Sequence, residues 1–424
     1  MGLNQDSVYV AFEDLDASSQ QAGSLSHFFP CAGHIKLEFQ KVADKFSSLL
    51  REGHERLGCS FAAYYKGQLV VHLWGGWINE EKDKKWDEHT RTVLFSCTKS
   101  VSTIVLHYVL DRANVSVNRK VSDFWPEYGR HGKEETTILQ VLHHQAGIPF
   151  TDSGPLAQND MMNPERMSRY FEEAIPIWKP GTHTGYHALT YGFLLDQISR
   201  RIDPQRRGIA EIFHADIIGQ YDIKDISIGL SKDELPHPTV ATVYNPNEDD
   251  LKKAEIKNPL AHKRYFLSYN DYNKRLYKQW SFIKIDDYNL KENQCLQMPS
   301  NMGIGSAKGL AEVHSLVATR KLLNHKFYDI VMGPVLVNEM DTINQYEENK
   351  GFGWQWTRNP WGEWIFGHSG HGGQNVKIDC HHQLAFAFVC NGLHVADADL
   401  VFTFSQLQAE LYECVKLLET TNGS

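Results

Sequence analysis

The chain has 424 residues, of which 42% are hydrophobic and 22% are charged. These fractions are typical of a soluble globular protein, and a chain of this length can bury a large core without disulfides or structural metals. The formal net charge is −9, and the basic residues form no run longer than a pair. Because phosphate binding needs clustered lysine and arginine, this composition argues against nucleic acid as a partner.

The first thirty residues lack a basic start followed by an apolar segment, so no signal peptide is predicted. No apolar stretch is long enough to span a bilayer, which argues against a membrane protein. The seven cysteines are irregularly spaced and match neither a disulfide framework nor a zinc signature. We therefore expect a cytoplasmic protein, because free thiols persist in a reducing compartment.

The N-terminal part of the chain begins with a polar, irregular stretch over residues 1–34, which predicts an arm on the surface. Between residues 35 and 57 the apolar side chains recur at helical spacing, and Gly58 is expected to end that helix. Two short β-rich stretches follow and are joined by Lys66-Gly67, a dipeptide that is typical of a hairpin turn.

The next predicted element is a helix that begins at Ser96 and continues to about residue 110. It is apolar on most of its sides, which is typical of a buried helix at the centre of a domain. Residues 116–349 are predicted to be mostly helical, and their polar, irregular segment 236–300 is interpreted as an insertion. After about residue 350 strands return, before a final amphipathic helix.

The order of these elements predicts an α+β fold. Residues 35–115 and 350–420 would form an α/β part, in which one antiparallel sheet is assembled from both ends of the chain and is flanked by N- and C-terminal helices. Residues 116–349 would be inserted as a mostly helical domain. A single catalytic body is thus expected over 35–420.

The start of the buried helix carries a motif with catalytic potential, Ser96-Cys97-Thr98-Lys99. Residues three apart lie on one face of a helix, so Lys99 can reach the hydroxyl of Ser96. Burial should lower the pKa of Lys99 and leave a neutral amine that accepts a proton. The structural alternative is a serine that caps a core helix beside an unrelated lysine.

Other signals for reactive groups are weaker. A second Ser-x-x-Lys motif at 281–284 lies in a polar segment with no buried helix after it, so we interpret it as unrelated to catalysis. No Gly-x-Ser-x-Gly motif occurs, which argues against an α/β-hydrolase. The histidine pairs match no metal-binding spacing and are interpreted as structural or solvated, so no metal is expected. Cys97 has no paired histidine and is a poor candidate nucleophile.

The segment 95–101 resembles the active-site helix of class C-type β-lactamases, penicillin-binding proteins and the related family VIII carboxylesterases. Five further segments resemble successive motifs of the same superfamily, namely 71–76, 138–149, 180–192, 303–311 and 366–373. Six matches in order are more specific than any one of them, and together they cover nearly everything from about residue 35 to 415. The resemblance therefore implies the serine β-lactamase-like fold.

By this resemblance Ser96 is the acylated nucleophile and Lys99 is its base. Tyr186, in the segment Gly185-Tyr186-His187-Ala188, stands where the family keeps a tyrosine that shares in proton transfer. The phenol and the amine are then expected to titrate as a coupled pair. From the residues alone, Tyr186 could equally be one of many buried core tyrosines.

The third family motif, which lines the site on an edge strand, falls on His368-Ser369-Gly370. The resemblance implies that the backbone N–H of His371 lies beside the N–H of Ser96 and forms an oxyanion hole with it. A competing alignment shifts the motif by three residues to 371–373. We prefer the first alignment because Gly367 and Gly370 then flank the end of the strand.

Two departures from the β-lactamase pattern bear on the substrate. Ala188 stands where those enzymes have asparagine, and His368 stands where they have a lysine that helps to hold a substrate carboxylate. Both changes point away from penicillins and toward neutral carboxylic esters. We expect a small-molecule ester or amide substrate, an acyl-enzyme, and no metal or organic cofactor.

Three alternatives remain open at this stage. The substrate could be a peptide or a D-amino-acid amide, cleaved on the same fold. The chain could also be a non-catalytic scaffold or ligand-binding protein, although the presence of Ser96, Lys99 and Tyr186 together argues against this. A metal-dependent hydrolase is the most distant of the three. The oligomeric state is not determined by the sequence.

Overall fold

The computed structural model describes residues 7–12, 29–151, 154–232, 239–280 and 283–422. Ser281, the serine of the second Ser-x-x-Lys motif, lies outside the described residues. So do parts of the predicted arm and of the predicted insertion at 236–300.

A large antiparallel sheet forms the centre of the fold. Among the described residues it has ten strands, in the order β1-β2-β4-β3-β13-β12-β11-β10-β9-β8. A second sheet of three short strands has the order β5-β7-β6. In chain order the strands are β1 (Ser7–Phe12), β2 (Cys31–Lys36), β3 (Gly58–Tyr65), β4 (Gln68–Gly76), β5 (Thr92–Val93), β6 (Ile226–Ile228), β7 (Gly303–Gly305), β8 (Leu336–Met340), β9 (Glu347–Gly351), β10 (Trp354–Arg358), β11 (Trp364–Ser369), β12 (Asn375–Asp379) and β13 (Leu384–Cys390).

The helices lie on both faces of the large sheet and in the segment between its two halves. They are α1 (Gln40–Arg51), α2 (Cys97–Arg112), α3 (Ile138–Leu142), α4 (Gln158–Met161), α5 (Pro164–Glu173), α6 (Thr190–Ile202), α7 (Ile209–Ile212), α8 (Gly219–Tyr221), α9 (Glu248–Lys257), α10 (Pro259–Leu267), α11 (Asp271–Gln279), α12 (Lys291–Gln294), α13 (Ala307–Ala318), α14 (His325–Ile330) and α15 (Phe402–Asn422). None of the described helices combines the length and the apolar character that crossing a membrane requires.

Strands from opposite ends of the chain meet in the middle of the large sheet. β3 and β13 pair in antiparallel register, with Phe61 opposite Phe388. The chain therefore has the predicted α+β fold, with one antiparallel sheet assembled from both termini and helices inserted between them. The prediction of fold class is confirmed.

Both faces of the central strands are buried, and they pack against different helices. Successive side chains of a strand point to opposite faces. On β13, Phe386 and Phe388 pack into the core beneath α1 and α15, whereas Ala385 and Ala387 belong to the core on the other face. The small side chains on that second face let α13 lie close against the sheet.

The N-terminal region differs from the sequence-based expectation. Part of the predicted arm over 1–34 is strand, because β1 and β2 extend the edge of the large sheet. The helix expected from residue 35 begins at Gln40 and ends at Arg51, and Gly58 opens β3 rather than ending the helix. Burial alternates along β2 with a period of two, a pattern that is easily absorbed into a helical period over so few residues.

In the C-terminal half of the chain, the strands of the large sheet start earlier in the sequence than expected. β8 and most of β9 precede residue 350, inside the range predicted to be mostly helical. The side chains of β8 are largely exposed, so the segment lacks the apolar alternation by which a half-buried strand is recognised.

Candidate active site

A turn with a strained residue presents Ser96 at the start of helix α2. Leu94 donates its backbone N–H to the carbonyl of Gly303 at 2.8 Å, which anchors the turn to the small sheet. Phe95 then has φ of 44°, in the left-handed region that costs a bulky residue roughly 1–3 kcal/mol. The rings of Tyr288 and His371 hold the Phe95 ring, at centroid distances of 5.0 and 5.7 Å. Packing thus fixes the backbone from which Ser96 projects.

Lys99 lies one helical turn after Ser96 and is completely buried. Its Nζ lies 3.0 Å from Oγ of Ser96 and donates a hydrogen bond to the carbonyl of Ser300 at 3.1 Å. Burial holds the pKa of Lys99 well below its ordinary range. The neutral amine, which is the form that accepts a proton, is therefore favoured.

Tyr186 completes the contacts of the Ser96 hydroxyl. Its phenol donates a hydrogen bond to Oγ of Ser96 at 2.7 Å, and Nζ of Lys99 lies 4.8 Å from the centre of its ring. Burial raises the pKa of Tyr186 well above its ordinary range, although the hydrogen bond with Ser96 acts in the opposite direction. Burial therefore favours a protonated phenol beside a neutral amine.

A buried ion-pair cluster holds the backbone of Tyr186. The carboxylate of Asp341 accepts hydrogen bonds from the backbone N–H groups of Tyr186, Ile343 and Asn344, at 3.1, 2.9 and 2.7 Å. Its other oxygen contacts Nζ of Lys350, which also lies 2.9 Å from Glu348. Burial alone would lower the pKa of Lys350, but Glu348 and Asp341 together raise it, so the side chain is an ammonium ion.

Two buried histidines connect the loop of Tyr186 to the loop after α3. His187 donates its backbone N–H to Nδ1 of His144 at 3.1 Å, and its Nε2 accepts the N–H of Ile148 at 3.0 Å. Nδ1 of His187 lies 2.6 Å from the carbonyl of Gly185. Burial lowers the pKa of His187 to about 4, so its ring is neutral. One ring nitrogen contacts the carbonyl of Gly185, and the other accepts the N–H of Ile148.

The end of strand β11 lies against the first turn of α2. Cys97 donates its thiol to the carbonyl of His368 at 3.2 Å, and the ring of His368 lies 6.1 Å from that of Tyr186. Burial lowers the pKa of His368 to about 3. Ser369 donates both its N–H and its hydroxyl to Oε1 of Gln355, at 2.9 and 3.0 Å. The strand thus brings His368 and Ser369 to the same place as Tyr186.

The turn after β11 brings further backbone groups near Ser96. A side chain at Gly370 would lie 2.5 Å from the carbonyl oxygen of Leu94, so the two segments are in close contact. Gly370, Gly372 and Gly373 donate their N–H groups to Gln374, Asp397 and Gly370 respectively. Within the described residues no acceptor is found for the N–H groups of Ser96 and His371, the two donors from which the resemblance builds an oxyanion hole.

The structure therefore brings together the residues that the sequence analysis selected. Ser96, Lys99 and Tyr186 are in direct contact, and residues 368–371 lie beside them. His368 and Ser369 belong to the strand, whereas 371–373 form the turn after it, which favours the unshifted alignment of the third motif.

Sequence reasoning missed the groups that support these residues. They are the carbonyl of Ser300, the cluster of Asp341, Glu348 and Lys350, and the side chain of Gln355. Each lies far along the chain from its partner, and no local pattern marks it. His144 and His187 belong to histidine pairs that the sequence analysis interprets as structural or solvated, and in the structure both side chains make buried hydrogen bonds that connect two loops.

Similar proteins were found both by sequence and by fold. The chain is 27% identical over 210 residues to the esterase/beta-lactamase LipL of Mycobacterium tuberculosis (strain ATCC 25618 / H37Rv). That alignment covers 50% of this chain and 47% of LipL, about half the length of the relative. The fold of the present chain is similar to that of a family VIII carboxylesterase. The TM-score is 0.75, and the two are 23% identical over 90% of this chain and 98% of the carboxylesterase.

A penicillin-binding protein homologue from Caulobacter crescentus has a similar fold as well. Its TM-score is 0.72, with 24% identity over 90% of this chain and 98% of the other. At such identities the solved structures establish the fold alone. The sequence profile of the family described as Beta-lactamase matches residues 45–410, which include every site residue named above, and the chain therefore belongs to this family of hydrolases.

Proposed function

We propose that the chain is a serine hydrolase that cleaves carboxylic esters through an acyl-enzyme on Ser96. One observation carries the proposal: Oγ of Ser96 lies 3.0 Å from a completely buried lysine amine and 2.7 Å from a tyrosine phenol. A serine that merely caps a helix needs neither group. A neutral amine and a protonated phenol on one hydroxyl are the acid–base pair that nucleophilic catalysis by serine requires.

The proposed first step forms the acyl-enzyme. Oγ of Ser96 attacks the ester carbonyl while Nζ of Lys99 accepts the hydroxyl proton. The developing oxyanion accepts hydrogen bonds from the N–H groups of Ser96 and His371. The bond from carbon to the alcohol oxygen then breaks, and the proton passes from Lys99 through the phenol of Tyr186 to the departing alkoxide.

The second step returns the enzyme to its starting state. Water attacks the acyl carbon from the position that the alcohol has left, and its proton is taken by the same pair, Lys99 and Tyr186. The bond to Oγ of Ser96 breaks, and the serine regains a proton. The overall reaction converts an ester and water into an acid and an alcohol.

The charges around the site favour a substrate without a carboxylate. A small cavity beside Tyr186 is lined by Leu142, His144, Lys350, Gly353, Trp354, Gln355 and His368. Of the described residues that line it, Lys350 is the one cation, and both Asp341 and Glu348 already neutralise it. The cavity therefore offers no unpaired positive charge to the acidic group of a penicillin. The name esterase/beta-lactamase of the relative LipL includes both esters and β-lactams, so the test compares the two substrate classes.

The test is covalent labelling of the serine by a fluorophosphonate probe, measured by intact-mass spectrometry. We expect one adduct on the wild type, none on Ser96→Ala, and much slower labelling of Lys99→Ala. Ser281→Ala is the matched control, because it removes the serine of the other Ser-x-x-Lys motif, and it should label at the wild-type rate. Hydrolysis of p-nitrophenyl esters is then compared with hydrolysis of p-nitroanilides and of a chromogenic cephalosporin.

Two results would overturn the proposal. A folded wild-type protein that stays unlabelled would favour the non-catalytic scaffold or ligand-binding role. Labelling with faster turnover of the anilides than of the esters would retain the serine mechanism but replace esters by amides or peptides as the substrate class.

A further inference from the structure

A buried group of three potential metal ligands lies beneath the turn that follows β11. Glu55 precedes β3, Cys390 is the last residue of β13, and His394 follows four residues later. Glu55 is far from the other two residues in sequence, but it lies near them because β3 and β13 pair, with Cys59 opposite Cys390. One ligand atom from each residue lies within 4.8 Å of the others.

The carboxylate of Glu55 is only half used by the protein. Its Oε2 lies 3.0 Å from Nε2 of His394. Its Oε1 is buried and has no hydrogen-bond partner among the described residues, although the whole residue is just 2% exposed. A buried carboxylate oxygen without a partner is costly, and a bound cation is one of the few ways to satisfy it.

We propose that Glu55, Cys390 and His394 form a binding site for a zinc-type divalent metal ion. The donor set of one thiolate, one imidazole and one carboxylate matches the preference of Zn²⁺, whereas Ca²⁺ and Mg²⁺ prefer oxygen ligands alone. A thiolate and a carboxylate also balance the two positive charges of the ion, so the buried site is neutral. Binding releases the thiol proton of Cys390, and any proton on His394, to solvent.

The backbone around the three ligands is already fixed. Gln374 donates its side-chain amide to the carbonyl of Cys390 and accepts the Cys390 N–H, both at 2.8 Å. His394 donates its backbone N–H to the carbonyl of Gly372 at 2.9 Å. The side chain of His394 is 20% exposed. Water can therefore occupy the fourth position of a tetrahedral ion, on the side where the imidazole reaches solvent.

The proposed ion would lie next to the turn after β11 and would help to hold that turn in place. The thiol of Cys390 donates to the carbonyl of Gly372 at 3.4 Å, and a side chain added at Gly373 would lie 2.9 Å from Cδ2 of His394. The site therefore supports the turn whose first residue, His371, carries the proposed oxyanion donor. It goes beyond the proposed function, because none of the three ligands takes part in acyl transfer.

A second group of acidic and imidazole side chains serves as an internal control. Glu363, Asp379 and His382 also lie close together. Both oxygens of Asp379 are used by the protein, since Oδ1 accepts the N–H groups of His381 and His382 and Oδ2 accepts from Asn359 and Tyr412. No unsatisfied oxygen of Asp379 is left for an ion, so we expect no tight binding there.

The test uses Co²⁺ as a spectroscopic probe of the full chain after dialysis against EDTA. Titration should give one equivalent of bound ion, with a thiolate-to-cobalt charge-transfer band in the near ultraviolet that Zn²⁺ abolishes by displacement. Glu55→Gln should weaken Co²⁺ binding by roughly 100-fold, since even the loss of an outer partner of a metal ligand costs about 10–100-fold. Cys390→Ser should abolish the charge-transfer band.

His382→Asn is the matched control and should bind Co²⁺ like the wild type. Absence of the charge-transfer band from the wild type overturns the proposal, and so does its unchanged presence in Glu55→Gln. Loss of binding in His382→Asn would assign the ion to the other group and likewise overturn it. If Cys390→Ser does not fold, the spectra of the wild type and of Glu55→Gln still decide whether the proposal holds. Because the readout is spectroscopic, it is independent of whether the protein hydrolyses esters.

Discussion

Nζ of Lys99 lies 3.0 Å from Oγ of Ser96, and in the described part of the chain no carboxylate pairs with this completely buried amine. Lys350 is buried to a similar degree but contacts both Asp341 and Glu348. The pKa values of the two lysines are therefore shifted in opposite directions. Burial without an acidic partner lowers the pKa of Lys99, whereas two acidic partners outweigh burial and raise that of Lys350.

The first prediction concerns the pH dependence of ester hydrolysis. In the proposed mechanism the rate depends on the neutral amine of Lys99, whose pKa burial holds well below its ordinary 10.5. We expect kcat/KM for a p-nitrophenyl ester to rise with pH through that lowered pKa and to be constant well before pH 10.5 is reached. The plateau should not fall near pH 10.0, because burial raises the pKa of Tyr186 above that value.

This profile is measured with background hydrolysis by Ser96→Ala subtracted at each pH. Activity that is low at neutral pH and climbs only as an ordinary lysine loses its proton would contradict the role of Lys99 as a neutral base.

The second prediction is that Lys99→Met stabilises the protein although it slows labelling of Ser96 as Lys99→Ala does. Burial lowers the pKa of Lys99, so the unfolded chain binds this proton more tightly than the folded chain, and at pH values below 10.5 the difference counts against folding. Methionine removes that cost, and we expect the free energy of unfolding to rise by about 0.5–2 kcal/mol. The gain should shrink as the pH approaches 10.5, where the unfolded lysine also becomes neutral.

Urea unfolding at several pH values measures this effect. Lys284→Met, at the exposed lysine of the second Ser-x-x-Lys motif, is the control and should leave stability nearly unchanged. A Lys99→Met protein that is less stable than the wild type at neutral pH would contradict the prediction, because the lost contacts of Lys99 with Ser96 and Ser300 would then outweigh the cost of burying the amine.

The third prediction concerns the phenol of Tyr186. Tyr186→Phe removes the hydroxyl that donates to Oγ of Ser96 at 2.7 Å and keeps the ring. General acid–base groups contribute roughly 10²–10⁴-fold, so we expect kcat to fall by about that factor with little change in the melting temperature. Tyr191→Phe is the control, because its buried hydroxyl bonds to Thr103 at 2.7 Å and not to Ser96. Equal losses of activity in the two variants would indicate a packing role for Tyr186.

The fourth prediction concerns the ion-pair cluster behind Tyr186. Lys350→Met leaves the buried carboxylates of Asp341 and Glu348 without their cation, which should cost about 3–5 kcal/mol of unfolding free energy. The exposed pair of Lys274 and Asp271 gives a matched control, and Lys274→Met should leave the free energy of unfolding nearly unchanged. Similar small losses in both variants would show that the cluster is well solvated in solution.

The sequence was informative wherever the decisive interaction is local. Ser96 and Lys99 lie one turn apart on the same helix, so the spacing in the chain already implies their contact. The burial of helix α2 likewise follows from its own residues, because apolar side chains occur on most of its sides. The resemblance to a family then located Tyr186, which composition and spacing alone could not separate from other buried tyrosines.

The sequence predicted short or exposed elements less accurately. Six residues of β2 fit a period of two, but they also continue the apolar pattern of α1, and pairing with β1 and β4 decides between strand and helix. β8 has few buried side chains, and its state depends on pairing with β9. Strand pairing joins residues distant in sequence, so no window of the chain contains the information.

The sequence by itself predicted the fold class and selected Ser96 and Lys99 as the proposed nucleophile and base, because periodicity and helical spacing are properties of neighbouring residues. Tertiary structure alone decided which groups support them. The carbonyl of Ser300 reaches Lys99, Asp341 reaches the backbone of Tyr186, and Glu55 meets His394 from the opposite end of the chain. These contacts form only when the folded sheet and helices bring distant segments together, and burial there sets the pKa values on which the proposed chemistry depends.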